Sequence, residues 1–397
     1  MDLAAARILP ADADHATLIG RAWVPGPLPG PSPVLIHRGR AHDVSRVAPT
    51  VADLLELQDV RERLRTALAE GRAPAIGSVD AMLAESRSNA RTPDKPYFLV
   101  PCDLQAIRAC GVTFVASMLE RVIEEHAQGD PAQADEVRAT LGREIGASLS
   151  SVKPGSADAA RVKALLVERG LWSQYLEVGI GPDAEVFNKA QPMSAVGIGA
   201  DIGVLENSSW NNPEPEVVLA VDSRGAVVGA SLGNDVNLRD WEGRSALLLG
   251  RAKDNNGSCA IGPFIRLLDD NFTIDALRRT EIEIEVTGGG DGFELKGRYS
   301  LTQISRDPVD LAGQAIGSNH QYPDGLMLFL GTAFAPTQDR GERGHGFTHK
   351  VGDVVSVRAA SLGALVNRVD HCHRIAPWTF GVSALMRNLS GRGLIQQ

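Results

Sequence analysis

The sequence predicts an α+β protein: a smaller α+β unit over residues 1–100, then a larger β-rich domain over residues 101–397. Three observations carry this. Helical periodicity is concentrated before about residue 175. Beyond it the apolar pattern changes to short runs and strict alternation. The 41 Gly and 22 Pro, against 5% aromatics, imply many turns and therefore many short strands.

In the first unit, Ala16 to Val24 and Val34 to Arg38 read as strands, with turns at Pro25-Gly26 and at Gly39. Val51, Leu54, Leu55, Leu57, Val60, Leu64, Ala67 and Leu68 form one stripe at helical spacing, predicting a helix over 51–70. Thr50 with Asp53 resembles a capping box, and Gly71 supplies the stop. The polar, Pro-containing segment 91–103 reads as a linker.

A second helix is predicted over 113–127. Phe114, Val115, Met118, Leu119, Val122 and Ile123 share one face, and Ser117, Glu120, Arg121 and Glu124 the opposite one. Asp130-Pro131 opens a third helix, and 157–170 a fourth that ends at Gly170.

In the β-rich half, Val217–Asp222 and Ala226–Ser231 flank Ser223-Arg224-Gly225 as a hairpin. Glu281 to Val286 alternates strictly, as a half-solvated antiparallel strand does. It turns at Gly288-Gly289-Gly290-Asp291 into Phe293–Leu295. Those glycines lie between two strands, not between a strand and a helix, so they mark a hairpin tip and not a phosphate loop. Val351–Val357 and Leu365–Val369 suggest a further pair, and residues 341–346 a mobile loop.

Composition excludes several classes. A formal charge of −9 argues against nucleic-acid binding, which wants a basic stripe. No apolar run reaches the ~18–20 residues of a membrane helix. The first twenty residues lack a basic segment followed by an apolar one, so no secretory signal is read. The four cysteines, Cys102, Cys110, Cys259 and Cys372, form no CxxC pair, and a reducing cytoplasm is the expected compartment. His371-Cys372-His373 invites a metal reading, but its surroundings suit a strand end better.

The informative segment is Trp210-Asn211-Asn212-Pro213-Glu214-Pro215-Glu216, which runs into the strand VVLAVD. Period-two geometry puts Glu214 and Glu216 on one face. Pro213 and Pro215 remove two backbone donors and stiffen the approach. The returning hairpin strand brings Asp235 roughly opposite the residues just before Glu214. Three converging oxygen ligands without His or Cys favour Mg²⁺ or Mn²⁺ over zinc. The alternative is a solvated acidic strand end with prolines protecting an edge. Spacing alone leaves both open. Lys253 taken alone is a surface lysine; beside a 2+ charge its pKa falls and it becomes a proton acceptor.

These residues carry a family resemblance. Phe187-x-Lys189, Glu214-x-Glu216, Asn234-Asp235-Val236-x-x-Arg239-Asp240, Lys253, and Gly331-Thr332 after the turn near Pro323-Asp324-Gly325 resemble the fumarylacetoacetate hydrolase family over about residues 105–397. The resemblance implies a catalytic domain of mixed β-roll or sandwich type that assembles as a homodimer or larger homo-oligomer. It implies Glu214, Glu216 and Asp235 as ligands of Mg²⁺, with Mn²⁺ the other candidate. Lys253 matches the active-site lysine, Thr332 a threonine holding the substrate carboxylate, and Lys189 a pocket lysine.

One departure selects a branch. Family hydrolases carry G-x-N-Y-x-x-H-x-x-E, whose His activates water. This chain reads Gly111 to Glu120 as GVTFVASMLE, with Ser117 at the His position and Glu120 at the Glu position. Serine alone is too weak a base to activate water. The segments GLWSQYLEV, SSWNNPEPEVVL, HQYPDGLMLFLGT and GFTHKVGD resemble the sugar-acid dehydratases of the family, which act on 2-keto-3-deoxy-pentonates.

That resemblance implies a lyase reaction through a metal-stabilised enolate, giving 2,5-dioxopentanoate. Lys253 is then the leading proton-transfer residue and Glu120 the second acid/base group. Ser117, on the same helix face, would bond a substrate hydroxyl. An ordinary solvated helix face is the competing reading of Ser117 and Glu120. The competing functions are an acylpyruvate or β-diketone hydrolase, a decarboxylase or isomerase on the same scaffold, and a non-catalytic metal- or ligand-binding relative.

Overall fold

In a computed structural model of the chain, residues 1–128, 130, 152–168, 170, 172–341 and 346–395 are described. Among them, two large sheets form. The first has eleven strands. Its order runs Ala75–Ser78, Arg40–Asp43, Gly30–His37, Leu18–Val24, Cys259–Leu267, Val227–Asp235, Pro215–Val221, Leu326–Phe329, Ala106–Gly111, Glu185–Ala190, and Tyr97–Phe98 also pairs with Leu18–Val24. Pairing is antiparallel except where Leu326–Phe329 lies parallel to Ala106–Gly111. Through Leu18–Val24 beside Cys259–Leu267, one sheet runs through the first hundred residues and the second half alike.

The second sheet has five strands, in the order Glu294–Ser300, Glu281–Thr287, Val354–Ala359, Gly363–His371, Asp201–Val204. The two sheets pack on a shared core. Val217, Leu219, Leu232 and Phe264 come from the first, and Ile282, Ile284, Val357 and Leu365 from the second. Full burial of each such side chain is worth roughly 1.5–3 kcal/mol. This is the α+β class and sheet-on-sheet packing that the sequence implies. Glu281–Thr287 alternates exposed and buried along its whole length. The His371 expectation also holds in its plainer form, since His371 ends a strand.

Two readings of the first half need correction. The 51–70 stripe forms two helices, Val51–Glu56 and Val60–Ala69, with an extended Leu57 between them. Leu54 and Leu55 of one and Leu64 and Ala67 of the other enter the same apolar cluster, which is why one continuous stripe is seen. Segment 91–103 is not a linker. Tyr97–Phe98 pairs with Ala22 and Trp23, and the Asp103 carboxylate is buried. The helix predicted from Asp130-Pro131 lies outside the described residues, as do residues 342–345 of the predicted loop. The helices Val115–His126 and Ala157–Glu168 form as expected.

Thr50 caps the first of the split helices: its Oγ1 accepts from Asp53 N at 3.0 Å and donates to the Asp53 carboxylate at 2.7 Å. Asp103 completes the cap from a distance, accepting from the backbone N–H groups of Val51 at 2.7 Å, Ala52 at 3.0 Å and Leu104 at 2.8 Å. Asp103→Ala strands these buried donors and is expected to cost about 2–3 kcal/mol, against about 1 for Thr50→Ala. Urea midpoints of the two variants check the ranking.

Candidate active site

The hairpin Pro215–Val221 with Val227–Asp235 sets the register of the acidic residues. Pro215 pairs with Asn234, and Asp235 N donates to Glu214 O at 2.9 Å. Asp235 therefore stands opposite Glu214 itself, slightly further along than the sequence spacing indicated. The hairpin carries a bulge at Ala220/Val221 that spacing does not reveal. Asn234 Oδ1 accepts from Glu214 N at 3.0 Å and fixes the strand entry. Tyr299 OH donates to Pro215 O at 2.5 Å from the second sheet.

Carboxylate oxygens of Glu214, Glu216 and Asp235 lie within 4.8 Å of one another, and all three residues are buried. Lys253, at the end of the short helix Leu249–Lys253, puts Nζ 2.5 Å from Glu214 Oε2 and 3.0 Å from Asp235 Oδ2. Lys189 Nζ lies 2.7 Å from Asp235 Oδ1 and donates to the carbonyls of Val236, at 3.2 Å, and Lys253. Burial works against the Lys253 charge, but Asp235, Glu214 and Glu242 outweigh it and hold its pKa above the usual lysine range. Burial likewise opposes the Asp235 charge, and Lys189 and Lys253 together bring that pKa below the usual range.

Glu216 is the least compensated of the three. Its Oε2 accepts one backbone N–H, from Gly331 at 2.6 Å. Burial, then the charges of Asp235 and Glu214, push its carboxyl well above the ordinary range. A buried carboxylate with one neutral donor and two anionic neighbours fits a site built for a cation. The all-oxygen donor set suits a hard divalent ion such as Mg²⁺ or Mn²⁺.

Gly331 is required here on two counts. Its φ is +88°, and a Cβ would meet Thr113 Oγ1 at 2.1 Å. Val112, which also lines the pocket, has a positive φ of 57°. For a β-branched residue that is strained backbone, costing about 1–3 kcal/mol. Thr113 Oγ1 donates to Leu330 O at 2.6 Å, which ties the two pocket edges together.

The polar face of the helix Val115–His126 lines the pocket instead of facing solvent. Arg121 bonds Glu214 Oε1 at 2.7 Å, and Glu124 and Glu242 at 2.6 Å each. Arg239 bonds Glu124 at 2.6 Å and Glu120 at 3.0 Å, and its guanidinium lies 4.1 Å from the Trp210 ring centroid. Burial, only partly offset by Arg121, pushes Glu242 up to about 7. Ser117 lines the pocket, with its hydroxyl donating to Phe114 O at 2.9 Å and accepting from Phe114 N at 3.3 Å. Thr332, also lining it, accepts from Phe334 N at 3.1 Å.

Sequence reasoning missed Glu185, Arg121, Arg239 and Glu242 as site residues. Glu185, Phe187 and Lys189 alternate along one strand, so the period-two pattern that paired Glu214 with Glu216 also held Glu185. Glu185 lines the pocket, and its carboxylate has no hydrogen bond or ion pair among the described residues. Burial raises its pKa. Arg121 carried a weaker signal, through its helical spacing with Ser117 and Glu124.

Residues 180–370 match the family model described as fumarylacetoacetate (FAA) hydrolase C-terminal. The 2-dehydro-3-deoxy-D-arabinonate dehydratase of Saccharolobus solfataricus is 30% identical over 191 residues, 48% of this chain and 60% of the relative. A probable 2-keto-3-deoxyxylonate dehydratase of Haloferax volcanii is 30% identical over 202 residues, 51% of this chain and 65% of the relative. The matches thus span less than two thirds of these curated relatives. A solved 2-keto-3-deoxy-D-arabinonate dehydratase in its apo form superposes with a TM-score of 0.60 at 20% identity, over 89% of this chain and 99% of the other. The same dehydratase complexed with magnesium and 2,5-dioxopentanoate gives 0.59 at 20% identity, again over 89% and 99%. Residues 180–370, which hold the acidic triad, both lysines and Thr332, are thus the part of the chain that is similar to the fumarylacetoacetate hydrolase C-terminal family, and the fold is similar to that of the solved dehydratase.

Proposed function

We propose that this chain is a divalent-cation-dependent hydro-lyase that dehydrates 2-keto-3-deoxy-pentonates to 2,5-dioxopentanoate. In this reading residues 101–397 are the catalytic domain and residues 1–100 flank it. The observation that carries the reading is the buried Glu214, Glu216 and Asp235 triad with Lys253 between two of its members. The names of the curated relatives support the substrate class.

Glu214, Glu216 and Asp235 would hold Mg²⁺ or Mn²⁺, whose Lewis acidity would make the C3 protons of a 2-keto acid more acidic. The chain supplies the proton chemistry. Lys253 is an ammonium in the metal-free protein; a cation held by Glu214 and Asp235 would lower its pKa, and as the neutral amine it would accept the proton from C3. Glu185 donates to the C4 hydroxyl, which leaves as water. It takes the role the sequence reading gave Glu120, because Glu120 is engaged with Arg239 while the Glu185 carboxylate has no such partner. A proton then moves from C5 to C3, and the resulting C4–C5 enol tautomerises to the aldehyde. Thr332 and the Ser117 side of the pocket contact the substrate, and Lys189 keeps Asp235 oriented. No step needs an activated water, which agrees with serine at position 117.

The test is an assay of purified protein with 2-keto-3-deoxy-D-pentonate, detecting the semialdehyde through an aldehyde dehydrogenase. Turnover is expected to vanish in EDTA and return with Mg²⁺. Turnover indifferent to chelation rejects the metal role, and pyruvate release from an acylpyruvate with no dehydration reassigns the chain as a hydrolase. Glu185→Gln keeps the shape and removes the proton, so kcat is expected to fall about 10²–10⁴-fold with little change in KM.

A further inference from the structure

A second cavity, which shares no lining residue with the acidic pocket, lies between the strand Leu18–Val24 and the irregular segment 375–380. Its volume is about 350 Å³, within the range of small-molecule sites. Its walls include the aromatic side chains Trp23, Tyr97, Trp378 and Phe380. Trp23 stacks on Tyr97, with ring centroids 6.2 Å apart and planes 10° apart, and meets Phe380 edge-on. Trp378 is 46% exposed, a large apolar surface at the cavity rim.

Two guanidinium groups line this cavity without adequate counter-charge. Arg21 is 4% exposed. Its one ion pair among the described residues, to Asp103 Oδ2, is long at 3.8 Å, and that carboxylate is already occupied by three backbone N–H groups. Burial outweighs Asp103 and lowers the Arg21 pKa. Arg91 donates through Nε to Ser86 O at 3.0 Å, lies 5.4 Å from the Tyr97 ring centroid, and buries Nη2 with no acceptor. The carboxylate lining the same cavity, Asp201, is engaged bidentately by Arg368 at 2.9 and 3.2 Å.

An under-compensated buried cation is costly unless an anion completes it. Guanidinium donors in a fixed fork match carboxylate and phosphate oxygens. Aromatic walls favour a flat apolar body. We propose that this cavity is a second ligand site, which takes a small organic anion with a planar apolar part: the anionic group on Arg21 and Arg91, the planar part among Trp23, Tyr97 and Trp378. None of these residues belongs to the acidic site, so the inference stands apart from the proposed dehydration.

The test titrates the full chain, in EDTA, with para-fluorobenzoate and para-fluorophenyl phosphate, using fluorine NMR. Para-fluorobenzyl alcohol is the neutral control. EDTA keeps divalent ions from recruiting the anions to the triad. At least one anion is expected to bind saturably with a Kd below about 1 mM, and the two arms tell carboxylate from phosphate. Arg91→Gln and Trp378→Ala are each expected to weaken binding about tenfold, and Glu216→Gln to leave it unchanged. Trp378 is at the rim, so its variant remains informative if Arg91→Gln fails to fold. Absence of saturable binding by both anions overturns the proposal, as does equal binding of the alcohol or indifference to both cavity substitutions. Displacement of the probe as the protein self-associates also overturns it, by giving the cavity to a second copy of the chain.

Discussion

Glu216→Gln is expected to abolish turnover while raising the stability of the metal-free protein. The two effects have one cause. Glu216 is buried, receives a single backbone N–H from Gly331, and faces the carboxylates of Glu214 and Asp235. Without a cation its charge is a liability, and glutamine removes that charge at nearly constant volume while keeping an oxygen for Gly331. Relief of buried like-charge repulsion is worth roughly 1–3 kcal/mol. With a cation the same charge becomes a ligand, and its loss is expected to lower kcat/KM more than about 10³-fold. Thermal melts with and without Mg²⁺ separate the roles. Wild type gains stability from Mg²⁺ by mass action, whereas Glu216→Gln gains little. A variant that melts lower than wild type in EDTA makes Glu216 a structural residue, and turnover within tenfold of wild type removes it from the ligand set.

How far the sequence discloses such a site depends on the range of the interactions that build it. Period-two alternation is local, so Glu214 with Glu216, and the exposed and buried faces of Glu281–Thr287, are legible from spacing. The hairpin turn at Ser223-Arg224-Gly225 brings Asp235 close to register, and the bulge at Ala220/Val221 supplies the remaining offset. The same alternation contains Glu185, but an isolated acidic residue in a half-polar strand carries no mark of what lies across from it.

Contacts between distant segments are hidden for a different reason. Arg121 reaches Glu214 from another element, and the helix face that carries it reads as solvated because periodicity reports polarity and not what the polar groups face. The pairing of Leu18–Val24 with Cys259–Leu267 is of the same kind: nothing in either strand names its neighbour. Segment 91–103 shows the converse error. Prolines and polar residues signal a loop, but Asp103 is buried because it satisfies helix donors some fifty residues away. The ordered set of motifs that resembles a known family compensates for this blindness, since it carries long-range information that a single chain's periodicity lacks.

Lys253→Met is expected to give the opposite pairing of effects, and so to separate counter-ion from catalyst. Methionine keeps the apolar stem and removes the ammonium. In the metal-free protein that ammonium is shared by Glu214 and Asp235, at 2.5 and 3.0 Å. Removing one partner of a buried ion cluster leaves uncompensated charge and costs about 3–5 kcal/mol. The lysine also competes for the oxygens that a cation needs. Lys253→Met is therefore expected to gain more stability from Mg²⁺ than wild type does, with metal affinity equal or higher. If Lys253 were only a counter-ion, the Mg²⁺-loaded variant would turn over normally. If it transfers the C3 proton, turnover falls about 10²–10⁴-fold although the metal is bound and the fold restored. Calorimetric Mg²⁺ titration, melting curves and the coupled dehydratase assay on one preparation give all three quantities. Retained turnover in the loaded variant would transfer the base to another pocket residue, and Glu185 is the next group placed to serve.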